Sequence, residues 1–189
     1  MRILFPATLI AALTLSGCGS FLATLQSNPI EEDPGERTMG EQIEDETIET
    51  KAVVNIHSAD KGFDQAHITV VSYNAYVLIA GQVHSRELKD KATAIVRKIR
   101  NVRRIHNELE ISAPSSAMTR TSDTWITAKV KSWLLGNGEI EGGRVKVLTE
   151  NGVVYLMGLA TKAEGDRITG VVSGLSGVQR VVGLFEYID

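Results

Sequence analysis

His67-Ile-Thr-Val-Val-Ser-Tyr-Asn-Ala-Tyr-Val-Leu-Ile-Ala-Gly81 aligns without a gap on Arg144-Val-Lys-Val-Leu-Thr-Glu-Asn-Gly-Val-Val-Tyr-Leu-Met-Gly158. Self-similarity of this kind marks a duplicated structural unit, so this pair of stretches decides the architecture. In each copy two β-rich runs flank a polar pair, Asn74-Ala75 in the first and Asn151-Gly152 in the second. Asn-Gly at such a place signals a two-residue hairpin, whose central residues both need positive φ. A glycine closes each run, a polar helical stretch follows, and a short apolar segment ends the unit. That last segment is Asn101-Val-Arg-Arg-Ile105 in the first copy and Gly177-Val-Gln-Arg-Val181 in the second.

Working outward, each hairpin is preceded by an amphipathic stretch. The first is predicted to begin near Asp45 and to carry Ile48, Ala52 and Ile56 on one stripe. The second is predicted to begin at Asp123, a favourable N-cap residue. At 100° per residue its Ile126, Val130, Trp133 and Leu134 share an arc of about 100°, the width of a core-facing stripe. Each unit therefore reads α-β-β-α-β, with a right-handed crossover laying the third strand beside the hairpin. Two helices on one face of a three-stranded mixed sheet make a small α+β sandwich, here present twice in tandem. The expected boundaries are 45–112 and 122–189 for the two domains, with a linker over 113–121.

The N-terminal region carries a different message. Arg2 and the apolar run Ile3–Leu15, interrupted by Pro6, are too short to span a bilayer and have the form of a processed leader over residues 1–17. Leu15-Ser16-Gly17-Cys18 then matches a lipobox, in which the cysteine becomes the lipid-bearing N-terminus. The alternative is an ordinary secretory leader followed by an incidental cysteine. Cys18 is the sole cysteine, so its lipidation would leave no thiol for disulfides or catalysis. Residues 18–44 are expected to be a tether, rich in Ser, Asn, Pro and Gly and bearing the acidic run Glu31, Glu32, Asp33 and Glu36.

Composition narrows the function classes. A net charge of −3 provides no overall attraction to nucleic acid. The histidines His57, His67, His84 and His106 have no zinc-ligand spacing. No GxSxG, P-loop or paired-carboxylate motif is present, so the chain is not read as an enzyme. Gly136-Asn-Gly138 and Gly142-Gly143 precede a strand, whereas phosphate loops follow a strand and open a helix. They read as the connection from helix to hairpin. No cofactor is expected beyond the covalent lipid on Cys18.

The order of helix, hairpin, glycine, helix and Gly-Val-x-x-Val resembles the BON domain. Two such units behind a lipobox resemble the dual-BON bacterial lipoproteins. The likeness is strongest at Ser122–Leu135, Val145–Gly152 and Leu156–Leu159. The first repeat departs from the pattern at Asn101, where the family usually has glycine. The resemblance implies an outer-membrane lipoprotein facing the periplasm, and Gly19 rather than aspartate after the cysteine agrees with that destination. It also implies contact between anionic phospholipid, such as phosphatidylglycerol, and the first helix of the second domain. Outer-membrane assembly or division-site envelope proteins are the protein partners that it suggests.

The residues themselves distinguish the two leading helices. On the second, Trp125, Ala128 and Leu135 lie off the core arc, flanked by Lys129 and Lys131 and preceded by Arg120. An aromatic residue with aliphatic and basic neighbours suits a membrane interface. Packing of Trp125 against the other repeat would fit the residues equally well. The family likeness favours lipid and carries Trp125, Val130 and Leu135 over as contact positions, although the helical wheel turns Val130 inward. The first helix has Thr47 at the tryptophan position, amid Glu41, Glu44, Asp45, Glu46 and Glu49 and against Lys51. Its charge would be repelled by an anionic bilayer. The later stretch of the first repeat, from Arg86 to Arg104, is strongly basic and reads as a solvated face or as the seat of an acidic partner. Two functions follow as expectations: a lipid-binding module for envelope integrity, or a protein-interaction adaptor.

Overall fold

The structure is a computed structural model that describes residues 35–138 and 140–189. The leader and residues 18–34 of the expected tether, Cys18 included, lie outside the described residues. The first domain comprises α1 (Met39–Ala59), β1 (His67–Tyr73), β2 (Tyr76–Val83), α2 (Arg86–Val96) and β3 (Arg104–Ile111). In the second, α3 (Ala117–Gly136) precedes β4 (Lys146–Glu150), β5 (Val153–Met157), β6 (Leu159–Ala160), α4 (Lys162–Ser173), β7 (Arg180–Gly183) and β8 (Glu186–Tyr187). Each hairpin is antiparallel, and the third strand joins it in parallel, giving the sheet orders β1-β2-β3 and β4-β5-β7. In the second domain a break separates β5 from β6 and β7 from β8. The register runs through it unchanged, for Leu156 faces Gly183 and Leu159 faces Glu186.

The duplicated stretch folds as its turn chemistry requires. Asn74 and Ala75 have φ of 50° and 62°, and Asn151 and Gly152 have 51° and 74°. Both pairs are therefore left-handed, as a primed two-residue hairpin demands. Gly81 closes the first hairpin at φ 121°, and a Cβ there would come within 2.0 Å of the His67 carbonyl oxygen. No other residue fits that position. Asn101 also has a positive φ, 68°, as does its counterpart Gly177 at 95°. This explains how the first repeat accommodates asparagine where glycine is usual: after glycine, asparagine enters that region with least strain.

Each domain has its own core between helices and sheet. Ile48, Ala52 and Ile56 of α1 meet Val77, Ile79 and Leu109, while Ile126, Val130 and Leu134 of α3 meet Val147, Val154 and Leu156. Trp133 packs at the margin of the second core, as its wheel position predicts. A third cluster lies on the opposite faces of the sheets, where Tyr73, Leu78 and Ala80 pack against Val153, Tyr155, Met157 and Leu184. The two sheets thus stack face to face with a helix layer on either outer side. Burying such side chains contributes roughly 1.5–3 kcal/mol each. Burial, followed by the neighbouring Glu108 carboxylate, pushes the Tyr155 phenol up to about 12, so it stays neutral in this layer.

Polar contacts frame that apolar layer, and several are reciprocal between the domains. Asn74 of the first hairpin donates to Glu186 at 2.7 Å, and Asn151 of the second reaches Glu110 at 3.5 Å. Lys146 pairs with Glu49 at 2.6 Å and donates to the Ser72 carbonyl at 3.2 Å. Buried Glu150 accepts from Gln82 at 2.9 Å and lies 3.3 Å from His67 Nε2. Such directional contacts fix how one sheet is set on the other, since a buried carboxylate left unpaired is costly.

Candidate functional site

The outer face of α3 is positioned by two features of its sequence, a cap at Ser116 and a buried carboxylate at Asp123. Ser116 caps the helix by accepting from the Thr119 amide at 3.1 Å, so α3 is capped about two turns before the expected Asp123. Likewise α1 begins at Met39 behind a Thr38–Glu41 capping box, and the first turns of both helices occupy stretches expected to be tether and linker. Asp123 has another task. Its carboxylate lies inside the helix and accepts from the Asn151 and Gly152 amides at 2.8 and 2.9 Å. Asp45 does the same for the first hairpin, accepting from the Asn74 and Ala75 amides at 2.8 and 2.9 Å and from Ser72 Oγ at 2.6 Å, and it pairs with Arg37. Burial raises the Asp45 pKa, but the hydrogen bonds from Ser72, Ala75, Arg37 and Asn74 outweigh it and hold the carboxyl below its usual range. In both repeats a buried helix aspartate therefore ties the helix to the strained turn of its hairpin.

With Asp123, Ile126, Val130 and Leu134 turned inward, the opposite face of α3 meets solvent. Trp125 and Leu135 are each 70% exposed, and Ala128 and Lys131 are exposed between and beside them. Lys129 Nζ lies 5.9 Å from the Trp125 ring centroid and donates to the Ser176 carbonyl and hydroxyl at 2.8 and 2.9 Å. The cation is thus held beside the indole by a loop of its own domain. Trp125 does not pack against the first repeat. Val130 departs from the implied contact set, because it is fully buried in the second core and cannot reach a surface ligand. Met118, 83% exposed, lies on the same side as Trp125 and extends the apolar face by two turns. Sequence reasoning missed it by starting the helix at Asp123. The cap-like Ser116-x-x-Thr119 spacing was the available signal.

The equivalent face of α1 differs. Thr47 and Trp125 each follow the turn-capping aspartate by two residues, and Thr47 spends its hydroxyl on the Ile43 carbonyl at 2.9 Å. Met39, Ile43 and Val54 are exposed on that side, with Glu46 among them. The basic stretch of the first repeat is partly paired: Lys91 meets Asp60, the C-cap of α1, at 2.6 Å, and Arg103 meets Glu186 of the second domain at 2.6 Å. Lys89 donates to the Leu109 carbonyl at 2.7 Å. Among the described residues, no cluster of three or more His, Cys, Asp or Glu side chains could hold a metal, and no helix is long and apolar enough to cross a membrane.

This geometry coincides with two matches to one sequence family, the BON domain, over residues 44–113 and 122–189. The chain belongs to the BON-domain family. Three relatives align with the chain over most of their length. It is 33% identical to the outer membrane lipoprotein DolP of Haemophilus influenzae, over 95% of this chain and 93% of that protein. It is 32% identical to the 21 kDa hemolysin of Actinobacillus pleuropneumoniae, over 81% and 79%. Osmotically-inducible protein Y of Escherichia coli is 25% identical over 95% and 94%. BON architecture accounts for the αββαβ order, the paired glycines and the duplicated hairpins alike.

Proposed function

We propose that this protein is a lipoprotein anchored through Cys18 to the periplasmic face of the outer membrane, where the outer face of α3 binds anionic phospholipid and supports envelope integrity. The observation that carries this reading is Trp125, which stands exposed beside Lys129, with Leu135 equally exposed on the same helix. Indole favours the headgroup boundary, aliphatic side chains favour the acyl margin, and a lysine near an anionic surface contributes about 1 kcal/mol. Ala128 keeps the centre of the face low, so Trp125 and Leu135 can reach one plane. Lys131 adds charge at the edge. Similarity to an outer membrane lipoprotein supports the destination. A lipid chain on Cys18 would hold the protein at the bilayer, leaving α3 to select lipid and orient the second domain.

The test uses the chain from residue 18 with Cys18→Ser, on phosphatidylcholine vesicles with and without phosphatidylglycerol. Phosphatidylglycerol-dependent binding that falls at least tenfold in Trp125→Glu supports the reading. Equal binding by both proteins, or binding by neither, sinks it and leaves α3 as a protein-docking face. For the anchor, Cys18→Ala should accumulate unprocessed or mislocalised protein.

A further inference from the structure

The first domain carries a second charged surface that the α3 reading does not use. Residues 97–104 read Arg-Lys-Ile-Arg-Asn-Val-Arg-Arg, five cations and no acid within eight positions. They form the turn from α2 into β3, which Asn101 holds with its left-handed backbone. Ile99 is buried and anchors the turn on the first core, so the flanking cations point outward. Arg97, Lys98, Arg100, Arg103 and Arg104 are all exposed. Of these, Arg103 has a carboxylate partner, Glu186, and Arg104 stacks over Tyr76 at 4.9 Å. Arg97, Lys98 and Arg100 form no ion pair with another described residue.

The place of this turn gives it a direction. Arg103 and Arg104 donate their backbone amides to the Ala75 carbonyl at 2.9 and 3.5 Å, which sets the basic turn against the first hairpin tip. Arg37 stacks over Tyr73 at 3.7 Å beside the same tip. The basic turn and Arg37 thus gather positive charge at one end of the first domain, complementary to an anionic surface. We propose that the Arg97–Arg104 turn is an electrostatic contact for a phosphate-bearing surface, namely the anionic headgroups of the bilayer to which Cys18 is attached. This contact rests on the anchor reading for its orientation. It is separate from Trp125, which lies in the helix layer of the other domain.

Unpaired cations within a Debye length of an anionic leaflet are attracted without a shaped pocket, and the attraction is screened by salt. The contact should thus depend on charge number and ionic strength, whereas the α3 contact also depends on apolar area.

The experiment compares four proteins, each from residue 18 with Cys18→Ser, on phosphatidylglycerol-containing vesicles at low and high salt. They are the parent, Trp125→Glu, the triple variant R97Q/K98Q/R100Q, and the combination. All three substituted arginine and lysine side chains are exposed, and circular dichroism checks that the variants fold. The expected result is at least a tenfold loss of binding in the triple variant at low salt, at about a factor of five per charge, with the difference gone at high salt. If the triple variant matches its parent in both backgrounds, the proposal is overturned, and the same follows if Trp125→Glu alone abolishes binding. If Trp125→Glu binds as the parent does while the triple variant fails, the α3 reading falls and this one stands. Inorganic phosphate that shifts the Arg97–Arg100 amide resonances without any vesicle binding by the turn would assign the site to a free anion and overturn the lipid-surface claim.

Discussion

The leading helices of the two repeats are built alike on the inside and differently on the outside. In α1, Asp45, Ile48, Ala52 and Ile56 face inward; in α3, Asp123, Ile126, Val130 and Leu134 do. Each aspartate holds the two turn amides of its hairpin, so the inner face is constrained by the fold. The outer faces have no such constraint and have diverged: Thr47 between Glu44 and Glu46 against Trp125 beside Lys129. Duplication has kept the half of the helix that the sheet requires and released the half that meets the surroundings.

The inner-face equivalence is broken most severely at the aspartates. Asp45→Ala leaves Ser72, Asn74, Ala75 and Arg37 without their shared acceptor and should cost about 3–5 kcal/mol by urea unfolding. Asp123→Ala, with fewer partners, should cost about 2–3 kcal/mol. Equal losses would show that the additional bonds of Asp45 contribute nothing. The Asp45 carboxyl titrates below its ordinary value near 3.8, so its contribution is present above that pH and is lost as pH falls through the folded-state pKa. The gap between parent and Asp45→Ala should therefore narrow between neutral pH and pH 3.

A second comparison separates the two faces of α3 itself. Val130→Ala should destabilise the protein by about 2 kcal/mol through lost burial and a residual cavity, with vesicle binding unchanged. Trp125→Ala should do the reverse, changing stability by less than about 0.5 kcal/mol, as exposed positions do. Grafting the aromatic residue onto the other helix, Thr47→Trp, should confer no phosphatidylglycerol binding, because Glu44 and Glu46 flank it. Gained binding would show that tryptophan suffices and charge is secondary. A gain in stability is expected at the first hairpin, where Ala75 sits at φ 62°. Ala75→Gly relieves left-handed strain of roughly 1–2 kcal/mol against a glycine entropy cost of about 0.5–1, for a net gain near 1 kcal/mol in thermal unfolding.

Much of this was legible in the chain because it rests on local rules. The repeat, the Asn-Gly turn and the 3.6-residue stripes gave the αββαβ order and placed Trp125, Ala128 and Leu135 outside the core. Helix starts were misread for a physical reason: an aspartate ahead of an apolar stripe resembles an N-cap, and its true partner lies 28 residues on at Asn151. The same error hid Met118. The unbroken apolar runs of β2 and β5 did hold a clue to the third cluster. A strand with one face in water alternates, and these do not, so both faces are covered.

The sequence by itself determined two BON-type units, their internal cores and the chemical contrast between their leading helices, since periodicity and turn propensity act within a few residues. What covers the second face of each sheet was decided by tertiary structure, as were the role of Asp45 and Asp123 and the setting of the Arg97–Arg104 turn against the first hairpin tip. Those features depend on contacts between residues far apart in the chain, whose distances are set by packing, and no local pattern specifies them.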